Sequence, residues 1–277
     1  MGIRIGTSGF SYDDWRGPFY PPDLPRTKML GWYARVFDTV EINASFYRIP
    51  TPATFSRMVA QTPDGFEFAV KTHQSLTHTP RVDGSLVQLF RDAVRPLAES
   101  GRLACLLVQY PWSFAPSDEN WRRVGQLPEL FPDAALIVEF RRSEWDHPQT
   151  YQRLAELGLG FCCVDAPRGS GLMPPRVART GSIGYLRLHG RNSEKWWDHR
   201  HAWERYQYRY DAGEMDELAH LATSLLASGD GATYAYFNNH YVGNATHNAR
   251  ELAERLGITL PEAPTSHPRQ GELLLEF

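Results

Sequence analysis

The sequence predicts a single (β/α)8 barrel of the TIM type with a long aromatic and basic loop after the seventh strand. Three observations carry this. Eight apolar-rich segments of strand length recur, at about residues 3–8, 39–44, 66–71, 104–110, 136–140, 161–165, 183–189 and 233–238. Helix-like stretches alternate with them, as in parallel strands joined by crossovers. No glycine-rich phosphate turn follows the first segment, since Thr7-Ser8-Gly9-Phe10 is not a GxGxxG, and this counts against a doubly wound open sheet. The barrel is expected over residues 1–260, followed by an extended tail over 261–277, with no second domain.

The elements can be justified in order. The first segment begins almost at the N-terminus and leads into an aromatic, turn-rich loop, residues 10–22. In the second, Val40 and Ile42 alternate with Glu41 and Asn43, a period-two strand. Thr51-Pro52 reads as a helix N-cap and first turn. A helix over 86–100 ends at Gly101. His147-Pro148 opens another, closed by Gly158. Further helices run over 211–228, ended by Gly229, and over 246–256, ended by Gly257. The parity of the strands places Val40, Ile42, Phe66, Phe68, Val70, Leu136, Val138, Phe140, Leu186 and Leu188 against the helices. The opposite parity lines the barrel with Ser8, Glu41, Asn43, Lys71, Gln109, Glu139, Arg141, Asp165, Arg187, His189, Tyr236 and Asn238. Barrel interiors are mostly branched and apolar, whereas this one is polar near the carboxyl end of every strand, where such barrels carry their sites.

Composition narrows the classes. Apolar residues are 42% of the chain, and the net charge of −3 gives no global field for nucleic acid. Aromatics reach 13%, which suggests a stacking surface. Cys105, Cys162 and Cys163 fall in strands with no disulfide or zinc-ribbon spacing, so the protein reads as reduced and cytoplasmic. There is no signal peptide and no apolar run of transmembrane length, so no membrane partner is expected. GxSxG, P-loop, HExxH and CxxC motifs are absent.

Several motifs together resemble the YecE-like family, domain of unknown function 72. They are Gly6-Thr-Ser-Gly-Phe-Ser-Tyr12 with Trp15, the segment Val40-Glu-Ile-Asn-Ala-Ser-Phe-Tyr-Arg48, Glu139-Phe-Arg with Trp145, Tyr185-Leu-Arg-Leu-His-Gly190, and Tyr236-Phe-Asn-Asn239. Ala44-Ser45 stands where the family usually has Ser-Thr. The resemblance spans about residues 3–256 and implies a TIM-like barrel in one domain. It implies no activity, since the family is named for lacking one.

Four constellations carry possible chemistry. Glu139, Asp165 and His189 end three consecutive strands, and two carboxylates with an imidazole suit a divalent metal such as Mn2+, Zn2+ or Mg2+. That layout resembles the xylose-isomerase-like barrels, with Asn238 where those supply a further carboxylate. The bland alternative is an internal ion network in which Glu139 pairs with Arg187 or Arg141 and Glu41 with Lys71. Lys71, Arg141, Arg187, His189 and Arg191 form an anion site. Glu41 and Glu139 are acid–base candidates, on well-separated strands. The loop 191–210, with Trp15, Phe46, Tyr47 and Trp145, offers stacking faces interleaved with cations.

These expectations define an enzyme doing hydrolytic or acid–base chemistry on a small anionic, phosphate-bearing or sugar-like ligand. Glu139, Asp165, His189 and Glu41 are the catalytic candidates. Asn43, Tyr47, Lys71, His73, Arg141, Trp145, Arg187, Arg191, Tyr236, Asn238, Asn239, Tyr12 and Trp15 are the binding candidates. The alternatives are a non-catalytic nucleic-acid-binding protein and a metal-dependent sugar isomerase or epimerase.

Overall fold

The computed structural model describes residues 2–169 and 171–261. All eight expected strands form: β1 (Ile3–Thr7), β2 (Thr39–Ile42), β3 (Glu67–Lys71), β4 (Leu103–Gln109), β5 (Leu136–Glu139), β6 (Gly160–Asp165), β7 (Gly184–Leu188) and β8 (Thr233–Phe237). They are parallel and hydrogen-bonded in the order β1-β8-β7-β6-β5-β4-β3-β2. The helices are α1 (Met29–Tyr33), α2 (Ala44–Tyr47), α3 (Pro52–Ala60), α4 (Gly84–Glu99), α5 (Asp118–Gly125), α6 (Leu127–Leu130), α7 (Pro148–Glu156), α8 (Ser193–Trp197), α9 (Ala212–Ala227) and α10 (Asn244–Arg255). Each strand before the last but one therefore reaches its successor through a helix, except β6. Among the described residues of 166–183 there is none. Of the expected tail, residues 262–277 lie outside the described residues. Among the described residues no helix is long and apolar enough to cross a membrane.

The helix ends follow the expected chemistry. Asp83 accepts from Ser85 N at 2.8 Å and starts α4 two residues earlier than the apolar pattern suggests. Asp211 and Glu214 cap α9 reciprocally. Gly101 and Gly158 take the left-handed conformation after α4 and α7, with φ of +67° at each. Gly229 does not take it, and α9 ends at Ala227.

The ring closes between β1 and β2 in an unusual way. No ladder joins these strands, and their contact is a single bridge, Ser8 to Glu41, with Gly9 N donating to Glu41 O at 2.7 Å. Below it the hydroxyl of Tyr33, from α1, takes the place of strand pairing. It accepts from Thr7 N at 2.9 Å and donates to Thr39 O at 3.1 Å. Gly6 lets β2 come this near, because a Cβ there would stand 2.3 Å from Thr39 O.

Inside the ring the side chains stack in polar layers. Nearest the amino end, Tyr234 donates to Glu67 at 2.6 Å, and Arg4 pairs with the same carboxylate. Above it Tyr236 bonds Thr39 Oγ1 at 2.6 Å. The next layer is ionic and the top layer opens at the mouth. Apolar residues of the other parity pack outward under the helices, as the sequence pattern requires.

The β6 parity differs from expectation. Cys162 approaches Glu139 inside the barrel, whereas Cys163 faces Ala178 of the segment outside. Asp165 is in register with Leu188 and shares its outward side. The reason is that residues 160–165 are buried throughout, so burial on both faces erases the alternation that parity is read from. All three cysteines are free and buried.

Candidate ligand site at the carboxyl mouth of the barrel

The ionic layer is organised by Arg187 of β7, 1% exposed. Its Nε and Nη2 donate to the two oxygens of Glu41 at 2.9 and 2.8 Å, a bidentate pair, and its Nη1 donates to Glu139 Oε2 at 2.5 Å. Glu41 also accepts from Ser8 Oγ and Tyr185 OH, both at 2.7 Å. Arg141 Nε lies 2.8 Å from Glu139 Oε1 and His189 Nε2 lies 3.4 Å from the same atom, but neither makes a hydrogen bond to it. Burial alone raises both carboxyl pKa values. Arg187, Tyr185 and Ser8 together outweigh it at Glu41, and Arg141, Arg187 and His189 together outweigh it at Glu139, so both are held below their ordinary range. This is the internal network that the sequence left open, with one change of partner. Glu41 pairs with Arg187, and Lys71 turns instead to Gln109.

His189 is 1% exposed and accepts at Nδ1 from Asn238 Nδ2 at 3.0 Å, which leaves its ring proton on Nε2 beside Glu139. Burial, then Arg141, pushes its pKa down to about 4 against the opposing pull of Glu139. It is neutral at pH 7.

Above this layer is a cavity of about 230 Å³ lined by Tyr12, Asn43, Tyr47, Lys71, Arg141, Arg187, Tyr206, Asn238 and His240. Tyr12 stacks on His240 at 4.7 Å and donates to Ser8 O at 2.7 Å. Lys71 Nζ donates to Gln109 Oε1 at 2.7 Å and stands 4.0 Å over the Phe46 ring. Gln109 is oriented for this by its own Nε2, which donates to Tyr110 O. Burial, then Arg187, lowers the Lys71 pKa to about 7. Arg141 approaches Glu139 most closely through Nε, and its terminal nitrogens make no hydrogen bond among the described residues. Asn43 Oδ1 is a buried acceptor without a donor.

Other candidates from the sequence lie elsewhere. Asp165 accepts from Arg191 Nη2 at 2.8 Å and Tyr210 OH at 2.9 Å, and Arg191 goes on to Glu217 of α9 at 2.9 Å. That cluster ties the loop after β7 to the outside of the barrel. The set Glu139, Asp165 and His189 therefore does not assemble, and no group of three such ligands occurs among the described residues. Trp145 is fully buried outside the ring, stacked 4.0 Å from Phe140 and donating to Phe114 O. Trp15 lies beneath Tyr12 and donates to His240 O, which supports the mouth without lining it. Tyr236 belongs to a lower layer. Asn239 donates to Tyr208 O and Asn248, and His73 caps a 3-10 turn through Ser75 N. Tyr206 and His240 line the cavity but are absent from the binding set read from the sequence. Tyr206 arrives on the 3-10 turn Ala202–Tyr206 of the loop after β7.

Fold and site together define a barrel protein with a small, polar, cation-rich pocket at the carboxyl ends of its strands. The chain belongs to the DUF72 family, described as a protein of unknown function, whose model matches residues 4–272. It is 30% identical over 288 residues to the UPF0759 protein YunF of Bacillus subtilis, covering 98% of this chain and 99% of that one. UPF0759 protein YecE of Escherichia coli K12 is 33% identical over 125 residues, 44% of this chain and 42% of its own. A DUF72 family crystal structure from Thermotoga maritima aligns with TM-score 0.86 at 36% identity, over 93% of this chain and 100% of that one. Another, from Enterococcus faecalis, gives 0.83 at 24% identity, over 96% and 100%, and speaks for the fold alone.

Proposed function

We propose that this barrel is an enzyme doing acid–base chemistry on a small anionic, phosphate-bearing or sugar-like ligand held at its mouth. One observation carries the reading. Three cations, Lys71, Arg141 and Arg187, meet only two carboxylates, Glu41 and Glu139, and both carboxylates lie in the layer beneath. With Lys71 protonated the site holds one positive charge in excess, and the free terminal nitrogens of Arg141 are where an anion docks. Asn43 Oδ1 accepts from a ligand hydroxyl. A cavity of about 230 Å³ admits a metabolite smaller than drug-sized ligands.

The groups that meet the ligand are those of the upper layer. Lys71 exchanges its proton near neutral pH, and His240 stands opposite, its pKa lowered by burial. Glu41, Glu139 and His189 act from below by fixing Arg187, Arg141 and Asn238. The test is calorimetric titration with inorganic phosphate and with glucose 6-phosphate, using glucose as the neutral control. Arg141→Ala is expected to weaken both anions by about tenfold or more, the worth of a charge-assisted bond. Equal binding of glucose and its phosphate, or an unchanged Arg141→Ala, would remove the anion site.

A further inference from the structure

The chain contains 26 arginines and three lysines, Lys28, Lys71 and Lys195. Lys28 and Lys195 are exposed, while Lys71 is half-buried in the wall of the mouth. An arginine there would keep its charge under all conditions. A lysine amine can shed its proton and become a nucleophile.

Its surroundings favour that. The partners of Nζ among the described residues are neutral, Gln109 Oε1 at 2.7 Å and the face of Phe46 at 4.0 Å. The charged and titratable groups around it are Arg187 on β7, Arg141 just past β5, Glu139 on β5, Glu41 on β2 and His78 behind Phe46. Tyr12, Tyr47, Tyr206 and His240 face it across the cavity. Burial, Arg187 and Arg141 favour the neutral amine, and the two carboxylates, already held by the arginines, only partly oppose them. A desolvated amine beside other cations is a recurring way to activate a lysine.

We infer that Lys71 is a covalent nucleophile that captures small anionic aldehydes or ketones as an imine at the barrel mouth. This rests on the anion-binding reading above, with Arg141 anchoring the carboxylate or phosphate while Nζ reaches the carbonyl carbon. The neutral amine adds to that carbon and the C=O π pair moves to oxygen. Nitrogen gives a proton to pocket water, and oxygen takes one up to give the carbinolamine. With a second proton the hydroxyl leaves as water, the nitrogen lone pair forms the C=N bond, and the resulting iminium returns a proton to pocket water to give the imine. Amine and carbonyl thus give imine and one water, with no change of oxidation state.

The test is reductive trapping on the full chain, with sodium cyanoborohydride and either glyoxylate or dihydroxyacetone phosphate at pH 7, followed by peptide mapping. The expected result is an adduct on Lys71 forming about tenfold or more faster than on Lys28 or Lys195, which serve as internal standards. Its rate rises with pH through about 7 and then levels, while free Nα-acetyl-lysine keeps rising. Lys71→Arg loses the adduct. If that variant does not fold, the wild-type comparison among the three lysines decides alone. Labelling of Lys71 no faster than of the other two overturns the inference. Phosphate binding without trapping overturns it while leaving the anion site standing. Preferential trapping of glyoxylate on Lys71 without phosphate binding supports the nucleophile and removes the phosphate reading instead.

Discussion

At the scale of residues, the chain keeps an imidazole neutral in a nest of charges. His189 titrates near 6.5 when unfolded and near 4 when folded, so the unfolded state takes up its proton first. Its contribution is full above pH 6.5 and falls as the pH drops towards 4, by about 3 kcal/mol in all. Burial and Arg141 set that window, and Glu41 and Glu139, held below 4.5, lose their contributions only at lower pH. Urea unfolding at pH 7, 6 and 5 should show wild type losing stability faster than His189→Asn. Parallel curves for the two would mean that His189 is protonated without penalty. The difference between proteins is the quantity to read, since His78, His240 and His247 are depressed as well. That Glu41 and Glu139 are spent on ion pairs was one of the two readings the sequence offered. Both partners of Glu139, Arg187 and Arg141, were legible, whereas Glu41 takes Arg187 instead of the expected Lys71, because partner choice depends on how strands on opposite sides of the ring face each other. The two carboxylates bracket one guanidinium, although their strands are three apart in the sheet.

At the scale of elements, Asp165 shows what strand pattern can and cannot say. Its existence at a strand end was legible, its direction was not, because residues 160–165 have no polar alternation. Placed outward, it fastens the loop after β7 through Arg191 and Tyr210, and Arg191 fastens α9. Asp165→Asn should cost about 1.5–3 kcal/mol of this attachment. Amide exchange over 192–210 should then quicken by about tenfold or more, with phosphate affinity little changed. The opposite pattern, lost affinity with unaltered exchange, would return Asp165 to the site. The aromatic signal of that loop was legible as a cluster, and its division was not. Trp196 packs inward near His189 while Trp197 and Trp203 stay exposed, and Tyr206 reaches the cavity.

At the scale of the whole molecule, eight strand segments were legible to within a residue or two because period-two and buried apolar runs survive on so regular a scaffold. The lack of a helix among the described residues after β6 was not, since the barrel count alone implies one. The closure of the ring was also invisible, because it depends on a helix tyrosine replacing ladder bonds. Gly6→Ala tests that closure. Its Cβ would meet Thr39 O at 2.3 Å and the Tyr33 hydroxyl at 3.0 Å, so the joint must open. A loss of about 1–3 kcal/mol in guanidinium unfolding is expected. A variant as stable as wild type would show that the strands can part freely there.

The joint between β1 and β2 bears on how the chain is born. Strand β1 leaves the ribosome first, yet its ladder partner β8 begins at Thr233, and its immediate successor offers it only a bridge and a tyrosine hydroxyl. For most of synthesis β1 is a strand in waiting. The ring can be sealed only after β8 has emerged, which makes its last hydrogen bonds the longest-range and slowest to be made.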